Sequence, residues 1–308
     1  MEVVADLRFP SPLRYPGGKG RLAPYFARLI EANDLCDGHY AEAYAGGAAA
    51  ALKLLYDEHV THVHLNDLDR GVYAFWYAAL FHTDALCGLI MRRPATVGEW
   101  NRQRAVQANK ASADLLELGF STFFLNRTNR SGIIAGGLIG GKRQSGIWQM
   151  DARLNRGDLV RRVERAAEYR GRISLYNLDA LEFLAFAAGQ LPERSLLYCD
   201  PPYYLTGKRK LYSTDYDRFD HRLVAQAVQS MPMPWVVSYD FAPEIVRLYR
   251  GVQRVSYDLN YSAMSTYRGR EVMFFSDGLA VPRLGNPAYV NSTRGPGGFA
   301  KTPLRESA

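Results

Sequence analysis

The chain has 308 residues, of which 47 % are hydrophobic and 22 % charged, and its net charge is +7. This length can bury one sizeable core and still carry a second, smaller domain, and the composition is ordinary for a soluble globular protein. The three widely spaced cysteines form no CxxC pair, so neither a disulfide framework nor a zinc site is indicated. No run reaches the roughly 18 apolar residues that a membrane span needs. We therefore expect a soluble, cytoplasmic protein whose basic balance permits a polyanionic partner without establishing one.

The first eighty residues are typical of the opening of an α/β domain. A glycine-rich turn at 16–20 precedes apolar residues that recur at helical spacing between Leu22 and Ile30. A second glycine turn, at 44–47, runs into a predicted helix over 48–55, and a strand over 63–67 follows it. A strand, glycine turn and helix followed by a strand with a terminal acid is the layout of a nucleoside-binding unit.

The middle of the chain, from about 81 to 170, has a different character. Helical patterns dominate, strand-like runs are few, and a glycine-rich stretch from Gly132 to Gly146 interrupts the helices. Between 121 and 170 there are ten Lys and Arg residues against four Asp and Glu residues, a local net charge of +6. This local excess points to an anionic partner more strongly than the charge of the whole chain does.

The α/β pattern then resumes. A helix is predicted over 180–188, and a flexible basic tail follows Asp277. Strands are predicted at Arg172–Tyr176, Ser195–Cys199 and Trp235–Tyr239, with a closing antiparallel pair at Gln253–Tyr257 and Glu271–Ser276.

The tetrapeptide Asp200-Pro201-Pro202-Tyr203 directly follows an apolar strand. The carboxyl ends of strands in such sheets are where ligands bind, and two successive prolines remove backbone donors and restrict φ. One carboxylate and a nearby carbonyl form an acceptor pair that can orient an amine, and the tyrosine ring can stack on a planar base. A plain turn that ends the strand is the alternative interpretation.

Three further segments are weaker signals when each is taken alone. The glycine turn from Glu42 to Ala48 lets a cofactor approach the backbone before a helix N-terminus, although a glycine pair more often marks a simple turn. Asp67 is placed to accept from ribose hydroxyls, but an acid after a strand is usually a helix cap. Lys19 lies in a turn that lacks the spacing of a P-loop, and a turn lysine is normally solvated.

Together, and in this order, these segments resemble the Dam-like family of adenine-specific DNA methyltransferases over about 13–276. The turns at 66–69 and 177–180 are similar to the family's ribose-binding and adenine-binding turns, and 238–240 and 268–271 also have counterparts. The resemblance implies catalytic roles for Asp200, Pro201, Pro202 and Tyr203. It implies S-adenosylmethionine contacts for Tyr15, Lys19, Glu42, Tyr44, Gly46, Gly47, Asp67, Leu68, Asp179, Ala180 and Asp200.

The sequence departs from the family at several positions. Ala43 stands where proline is usual, and Ala48 stands where a third glycine is usual. In the segment 126–132, Arg130 and Ser131 replace the Tyr-Asn of members that methylate GATC, and Ala135 stands where those members have a base-reading arginine, so GATC specificity does not follow. The predicted DNA-binding residues are Asn126, Arg127, Arg130, Ser131, Lys142 and Arg143.

The resemblance implies a Rossmann-like methyltransferase sheet flanked by helices, with a smaller, mostly helical target-recognition domain inserted. The expected boundaries are 1–80 and 171–280 for the catalytic domain, 81–170 for the insertion and 281–308 for the tail. The implied reaction is methylation of the N6 amine of a flipped-out adenine in double-stranded DNA, with S-adenosylmethionine as donor, S-adenosylhomocysteine as product and no metal.

Three alternatives stay open: methylation of the cytosine N4 amine, RNA in place of DNA as the substrate, and a catalytically silent DNA-binding protein that retains the fold. The absence of Gly-x-Gly-x-x-Gly after a strand argues against a dehydrogenase. We expect a monomer or weak dimer, associated with the nucleoid and with no membrane partner. A companion restriction endonuclease is left open.

Overall fold

A computed structural model describes residues 10–14, 19–204, 218–262 and 266–290 of the chain. Tyr15, which we predict to bind the cofactor, lies outside these ranges, as does most of the predicted tail. The described start of that tail includes a short 3-10 turn at Pro287–Tyr289.

A single seven-stranded sheet organises the molecule. Its order is β3-β2-β1-β4-β5-β7-β6. Strands β1 to β5 run parallel to one another, and β7 is antiparallel to both β5 and β6. The strands are β1 His39–Glu42, β2 His62–Asn66, β3 Ile173–Tyr176, β4 Ser195–Cys199, β5 Trp235–Asp240, β6 Gln253–Ser262 and β7 Thr266–Phe275.

Helices cover both faces of this sheet. They are α1 Ala23–Ala32, α2 Ala49–Tyr56, α3 Arg70–Phe81, α4 Thr83–Arg92, α5 Val97–Ala108, α6 Leu115–Thr128, α7 Arg156–Glu168, α8 Ala180–Gln190, α9 Arg218–Gln229 and α10 Pro243–Leu248. One core, under α1 to α3, surrounds residues such as Phe26 and Phe75, and the other, under α8 to α10, surrounds Phe183 and Val237.

The local sequence explains the central strands. All five residues of β4 and all six of β5 are buried, as expected for parallel strands covered by helices on both faces. The predicted Rossmann-like α/β sheet is confirmed, and the predicted closing pair is present as the antiparallel strands β6 and β7.

The predicted insertion contains α4 to α7 and a long irregular segment between α6 and α7. It shares its hydrophobic core with the sheet, because α6 packs closely on α3. Gly119 permits this approach, since a Cβ there would lie 2.5 Å from the Ala74 carbonyl oxygen. The Phe75 and Phe123 rings stack across the same contact with 6.1 Å between centroids. The division of the chain at 81 and 170 stays a prediction.

In the part of the chain that the structure describes, no single helix is both long and apolar enough to cross a membrane. Only α3 and α4 taken together reach that length and composition, and the pair is bent by 108°.

Candidate active site

The strand order places two acids on neighbouring strands at the point where the chain reverses direction across the sheet. β1 and β4 lie side by side, while β2 and β5 continue the sheet on opposite sides of them. Ligands bind in α/β sheets at such a switch point, beyond the carboxyl ends of the strands. Glu42 ends β1 and Asp200 directly follows β4, so both carboxyl groups lie at this position.

Asp200 is anchored through one of its two oxygens. Its Oδ1 accepts a hydrogen bond from Ser238 Oγ at 2.6 Å and lies 3.3 Å from Lys19 Nζ. Within the described residues, no donor contacts Oδ2. Burial raises the pKa of Asp200 to about 6, and the Glu271 charge adds to the rise, whereas Lys19 and Ser238 oppose it. At neutral pH the site therefore presents a carboxylate with one uncommitted oxygen.

Lys19 is buried at the centre of the site. Its Nζ donates to Tyr203 Oη at 2.6 Å and lies 3.0 Å from both Glu271 oxygens. Burial alone would lower the pKa of Lys19, but the charges of Asp200 and Glu271 outweigh it and raise the pKa. The interpretation of Lys19 as an ordinary solvated turn lysine is therefore wrong.

Tyr203 belongs to the same cluster. Its side chain is 9 % exposed, and its hydroxyl also donates to Glu271. In this position the ring offers little surface for a base, so the stacking role of Tyr203 stays a prediction. Pro201 and Pro202, which connect it to Asp200, are buried.

Glu271 and Ser238 contact the site but are not among the catalytic and cofactor-binding residues predicted from the sequence. Both lie in segments that resemble the family. Glu271 is fully buried on β7, and Ser238 is fully buried on β5. The signal in the sequence is a polar residue inside an otherwise apolar strand. It locates the residue, but only the strand order shows that it faces Asp200.

The glycine turn after β1 is held from two sides. Gly46 N donates to Asp67 Oδ2 at 2.8 Å, and Gly46 O accepts from Trp76 Nε1 at 2.9 Å. Ala48, where the related family has glycine, adopts a left-handed φ of 47° before α2. That conformation costs a residue with a Cβ about 1–2 kcal/mol, which explains the preference for glycine. Gly47, between the two, is buried.

Asp67 is not the helix cap that its position after a strand would suggest. Asp69 caps α3, accepting from Gly71 N at 2.7 Å. Asp67 Oδ1 instead accepts from Asp69 N at 2.9 Å, and burial raises the pKa of Asp67 to about 7. A carboxylate has about four acceptor positions, so two bonds leave capacity for a ligand hydroxyl.

The remaining predicted cofactor residues surround the same end of the sheet. Leu68 is 42 % exposed beside Asp67, and Tyr44 is half-buried in the glycine turn. Asp179 caps α8, with Oδ1 accepting from Leu181 N at 2.9 Å, and Ala180 is buried behind it. The cap engages one Asp179 oxygen, and the predicted contact with the cofactor adenine stays a prediction.

Comparison with known proteins identifies the chain. The family model of D12 class N6 adenine-specific DNA methyltransferases matches residues 15–263. The chain belongs to this family. The match favours adenine over the cytosine alternative, and the enzyme is a methyltransferase that acts on DNA.

Solved structures similar to the methyltransferase are distant. One is an rRNA methyltransferase from Streptomyces viridochromogenes, 14 % identical over 90 % of this chain and 92 % of that chain, with a TM-score of 0.41. Another, from Pyrococcus horikoshii and described as a candidate RNA methyltransferase, is 11 % identical over 86 % of this chain and 84 % of that chain, also at 0.41. These likenesses are too distant to bear on the fold or the substrate. No curated protein matches the chain.

The methyltransferase site fits S-adenosylmethionine, which the family implies. Partial or full removal from water raises the pKa of Asp67 and Asp200, which are half-buried, and of Glu42, which is buried and whose pKa rises to about 8. Acids in this state favour a cationic ligand, and S-adenosylmethionine carries a sulfonium and an amino group. The exposed Leu68 side chain adds an apolar surface next to Asp67.

Metal ligands are a separate question. Among the described residues of the methyltransferase, no three His, Cys, Asp or Glu side chains are grouped as metal ligands would be. The expectation that no metal takes part stays a prediction.

Two of the predicted DNA-binding residues are buried. Asn126 Nδ2 donates to Arg14 O at 2.6 Å and to Gly132 O at 2.8 Å. Arg127 is 7 % exposed and donates through Nε to Pro12 O at 2.8 Å. These hydrogen bonds attach residues 12–14 to α6, and the DNA-binding role predicted for Asn126 and Arg127 stays a prediction. Gly132 belongs to the same contact, since a Cβ there would lie 2.4 Å from Arg14 O.

The other predicted DNA-binding residues lie on the surface. Arg130, Lys142 and Arg143 are exposed, whereas Ser131 is half-buried and has a left-handed φ of 59°. The structure also exposes two apolar residues that the sequence prediction omits, Ile147 (96 %) and Trp148 (65 %).

Proposed function

We propose that this methyltransferase transfers the methyl group of S-adenosylmethionine to the N6 amine of an adenine flipped out of duplex DNA, with Asp200 as the residue that orients the amine. The observation that carries the proposal is the uncommitted Asp200 Oδ2 at the switch point of the sheet. Its partner oxygen, Oδ1, is already engaged by Ser238 and Lys19.

The residues of the chain orient the amine and balance its charge. Asp200 Oδ2 and the Pro201 carbonyl accept the two amine hydrogens, which turns the nitrogen lone pair away from ring conjugation. S-adenosylmethionine, when bound, supplies an electrophilic methyl group. The N–CH3 bond would form as the S–CH3 bond breaks, with its electron pair left on the sulfur of S-adenosylhomocysteine. As positive charge develops on the amine nitrogen, the Asp200 carboxylate stabilises it, and one of the two amine hydrogens leaves as a proton through that carboxylate to water. Positioning of two bound reactants can account for roughly 7–11 kcal/mol of the barrier.

The hydrogen-bond chain behind Asp200 keeps its carboxyl group in place. Ser238 has a single hydroxyl hydrogen, which it donates to Asp200, so it accepts from Tyr198 Oη at 2.6 Å. Both Ser238 and Tyr198 are buried on strands of the sheet. Groups held on rigid strands keep the carboxylate orientation that transfer to the amine requires.

The DNA-binding surface comprises Arg130, Lys142, Arg143, Ile147, Trp148 and Arg153, which we name the basic loop surface. Arg153 lies 5.8 Å from the Trp148 ring centroid, so a cation and an aromatic face are presented together. Cations of this kind bind phosphates, and an exposed aromatic ring can stack on bases for roughly 1–3 kcal/mol per base. Such contacts offset the few kcal/mol that base flipping costs.

The basic loop surface is held from inside. Gln144 Nε2 donates to Ile139 O at 2.7 Å and to Gly141 O at 2.6 Å, and its Oε1 accepts from Met150 N at 2.8 Å. Asn129, fully buried, donates to Ile133 O and Ile134 O. These hydrogen bonds connect the side chains of Asn129 and Gln144 to the loop backbone, while the charged side chains of the loop lie at the surface.

Transfer of labelled methyl from S-adenosylmethionine to unmethylated genomic DNA, followed by nucleoside analysis, tests the proposal. N6-methyladenine from the wild type, and a large loss of transfer in Asp200→Asn that persists at saturating S-adenosylmethionine, is the expected result. N4-methylcytosine as product would reassign the base. Binding of cofactor and DNA with no product would favour the silent DNA-binding protein.

A further inference from the structure

Glu271 is an acidic residue inside the sheet, on a strand that is paired on both sides. It lies on β7, opposite Asp240 on β5 and Tyr257 on β6, and its exposure is 0 %. A carboxylate without compensating partners is too costly to bury in such a place. The side chains that contact Glu271 therefore indicate what its carboxylate does.

Three side chains donate to Glu271. Tyr203 Oη donates to Oε1, Tyr257 Oη donates to Oε2 at 2.5 Å, and Lys19 Nζ is 3.0 Å from each oxygen. These donors come from separate parts of the chain, and two of them, Lys19 and Tyr203, belong to the active site. Glu271 is thus tied to the site and does not merely fill the core.

Lys19 lies between the carboxylates of Asp200 and Glu271 and is closer to Glu271, which does not contact the target amine in the proposed mechanism. Its Nζ is 3.0 Å from Glu271 and 3.3 Å from Asp200 Oδ1. One cation between two anions leaves the cluster with an excess negative charge. If Glu271 were neutral, Asp200 would be the anion left to balance Lys19, and the ammonium would move onto it.

We propose that Glu271 is a positioning residue for methyl transfer, which holds the Lys19 ammonium away from full pairing with Asp200 and so keeps Asp200 Oδ2 available to the target amine. The proposal rests on the role of Asp200 proposed above. The same contacts hold the excess negative charge of the cluster in the region where the methyl donor brings a positive one.

Several titratable groups surround Lys19, Asp200 and Glu271, and they affect the pH at which Asp200 ionises. Those that face this cluster from the neighbouring strands are Tyr40 and Glu42 on β1, Tyr198 on β4, Asp240 on β5 and Tyr257 on β6. Because Glu271 raises the pKa of Asp200, its neutralisation moves the ionisation of Asp200 to lower pH. A residue with only a structural role would lower the rate without moving that ionisation.

The test is the pH dependence of single-turnover methylation of genomic DNA by wild type, Glu271→Gln and Glu271→Asp, with folding checked by thermal unfolding. Glu271→Gln keeps the size of the side chain and removes its charge. We expect its rate at neutral pH to be roughly ten- to hundred-fold lower than that of the wild type. The acidic limb of its pH–rate profile, where the rate falls as Asp200 takes up a proton, is expected to lie at lower pH. Glu271→Asp keeps the charge and is expected to keep the limb in place even if its rate falls. Tyr257→Phe, which removes a donor but no charge of the ion cluster, is the matched control and is also expected to keep the limb.

A second measurement separates positioning from loss of packing. In the double variant Lys19→Met/Glu271→Gln no ammonium can move onto Asp200, so the combined loss is expected to be smaller than the product of the single losses. An unchanged acidic limb in Glu271→Gln, or strictly multiplicative losses, would overturn the proposal. A wild-type enzyme that forms no N6-methyladenine would instead refute the function on which it rests.

Discussion

Lys19 Nζ and Asp200 Oδ1, which are far apart in the sequence, lie 3.3 Å apart in the folded protein. The contact joins the N-terminal glycine turn to the catalytic tetrapeptide. It also gives a half-buried carboxylate a cation that lowers its pKa against the effect of burial. The electrostatics of the reaction centre therefore depend on a residue far from it in sequence.

Replacement of that cation has a defined consequence. In Lys19→Met, Asp200 and Glu271 face each other without the ammonium, so the pKa of Asp200 rises above its value of about 6. The acidic limb of the pH–rate profile is expected to move to higher pH, and each unit costs roughly tenfold in rate on the acidic side. This is the opposite of the Glu271→Gln displacement. A limb that stays at the wild-type pH would contradict the ion cluster described here.

Glu42 makes cofactor binding sensitive to pH. Burial raises its pKa to about 8, so at pH 7 the free protein holds it mostly protonated. A cationic ligand favours the ionised form, so S-adenosylmethionine is expected to bind with proton release below pH 8 and more weakly as the pH falls. Calorimetry at pH 7 in buffers with different ionisation enthalpies measures the release. Glu42→Gln is expected to release fewer protons, and equal release would show that Glu42 does not couple to the cofactor.

The salt dependence of DNA binding distinguishes an exposed arginine, such as Arg143, from a buried one, such as Arg127. Arg143→Ala removes an exposed cation and is expected to reduce the slope of log affinity against log salt by about 1, with stability unchanged. Arg127→Met removes a buried side chain that donates to the Pro12 carbonyl. It is expected to cost about 1–3 kcal/mol of stability while the slope remains. If Arg127→Met lowers the slope instead, Arg127 contacts phosphate, as its predicted DNA-binding role requires.

A histidine cluster at the amino ends of β1 and β2 predicts the response of stability to acid. His64 is buried, lies 3.0 Å from both His39 Nδ1 and Tyr176 Oη, and has its pKa lowered to about 3 by burial and by the two neighbouring histidines. Because the folded pKa lies below the unfolded value, this stabilisation is complete above about pH 6.5 and is lost as the pH falls toward 3, by up to about 1.4 kcal/mol per unit.

Urea unfolding at pH 7, 5.5 and 4.5 measures that loss. His64→Gln cannot take the proton and is expected to lose less stability with acid than the wild type does. His82→Gln, a substitution at an exposed position after α3, is the control and is expected to follow the wild type. Equal acid sensitivity of His64→Gln and the wild type would contradict the prediction.

Local patterns were sufficient for most of the sheet. The predicted bounds of the strand at Ser195–Cys199 agree with β4, because a continuous apolar run flanked by polar residues has few other folded solutions. Asp67 and Asp200 could likewise be placed at the carboxyl ends of predicted strands. The burial of Asn126 and Arg127 could not be predicted, because a polar residue in a basic segment has the same sequence signal whether it is exposed or anchors the backbone.

The sequence by itself determined the α/β class, the order of the motifs and the position of the tetrapeptide Asp200–Tyr203 after a strand, since these follow from hydrophobic periodicity and from residue types next to one another. Only the tertiary structure decided that Lys19, Ser238 and Glu271 meet at Asp200, and that Arg127 is buried while Arg143 is exposed. The physical reason is that hydrogen bonds and ion pairs depend on distance in space. The pairing of β4 with β5 and of β5 with β7, which brings these residues together, is a long-range property of the fold.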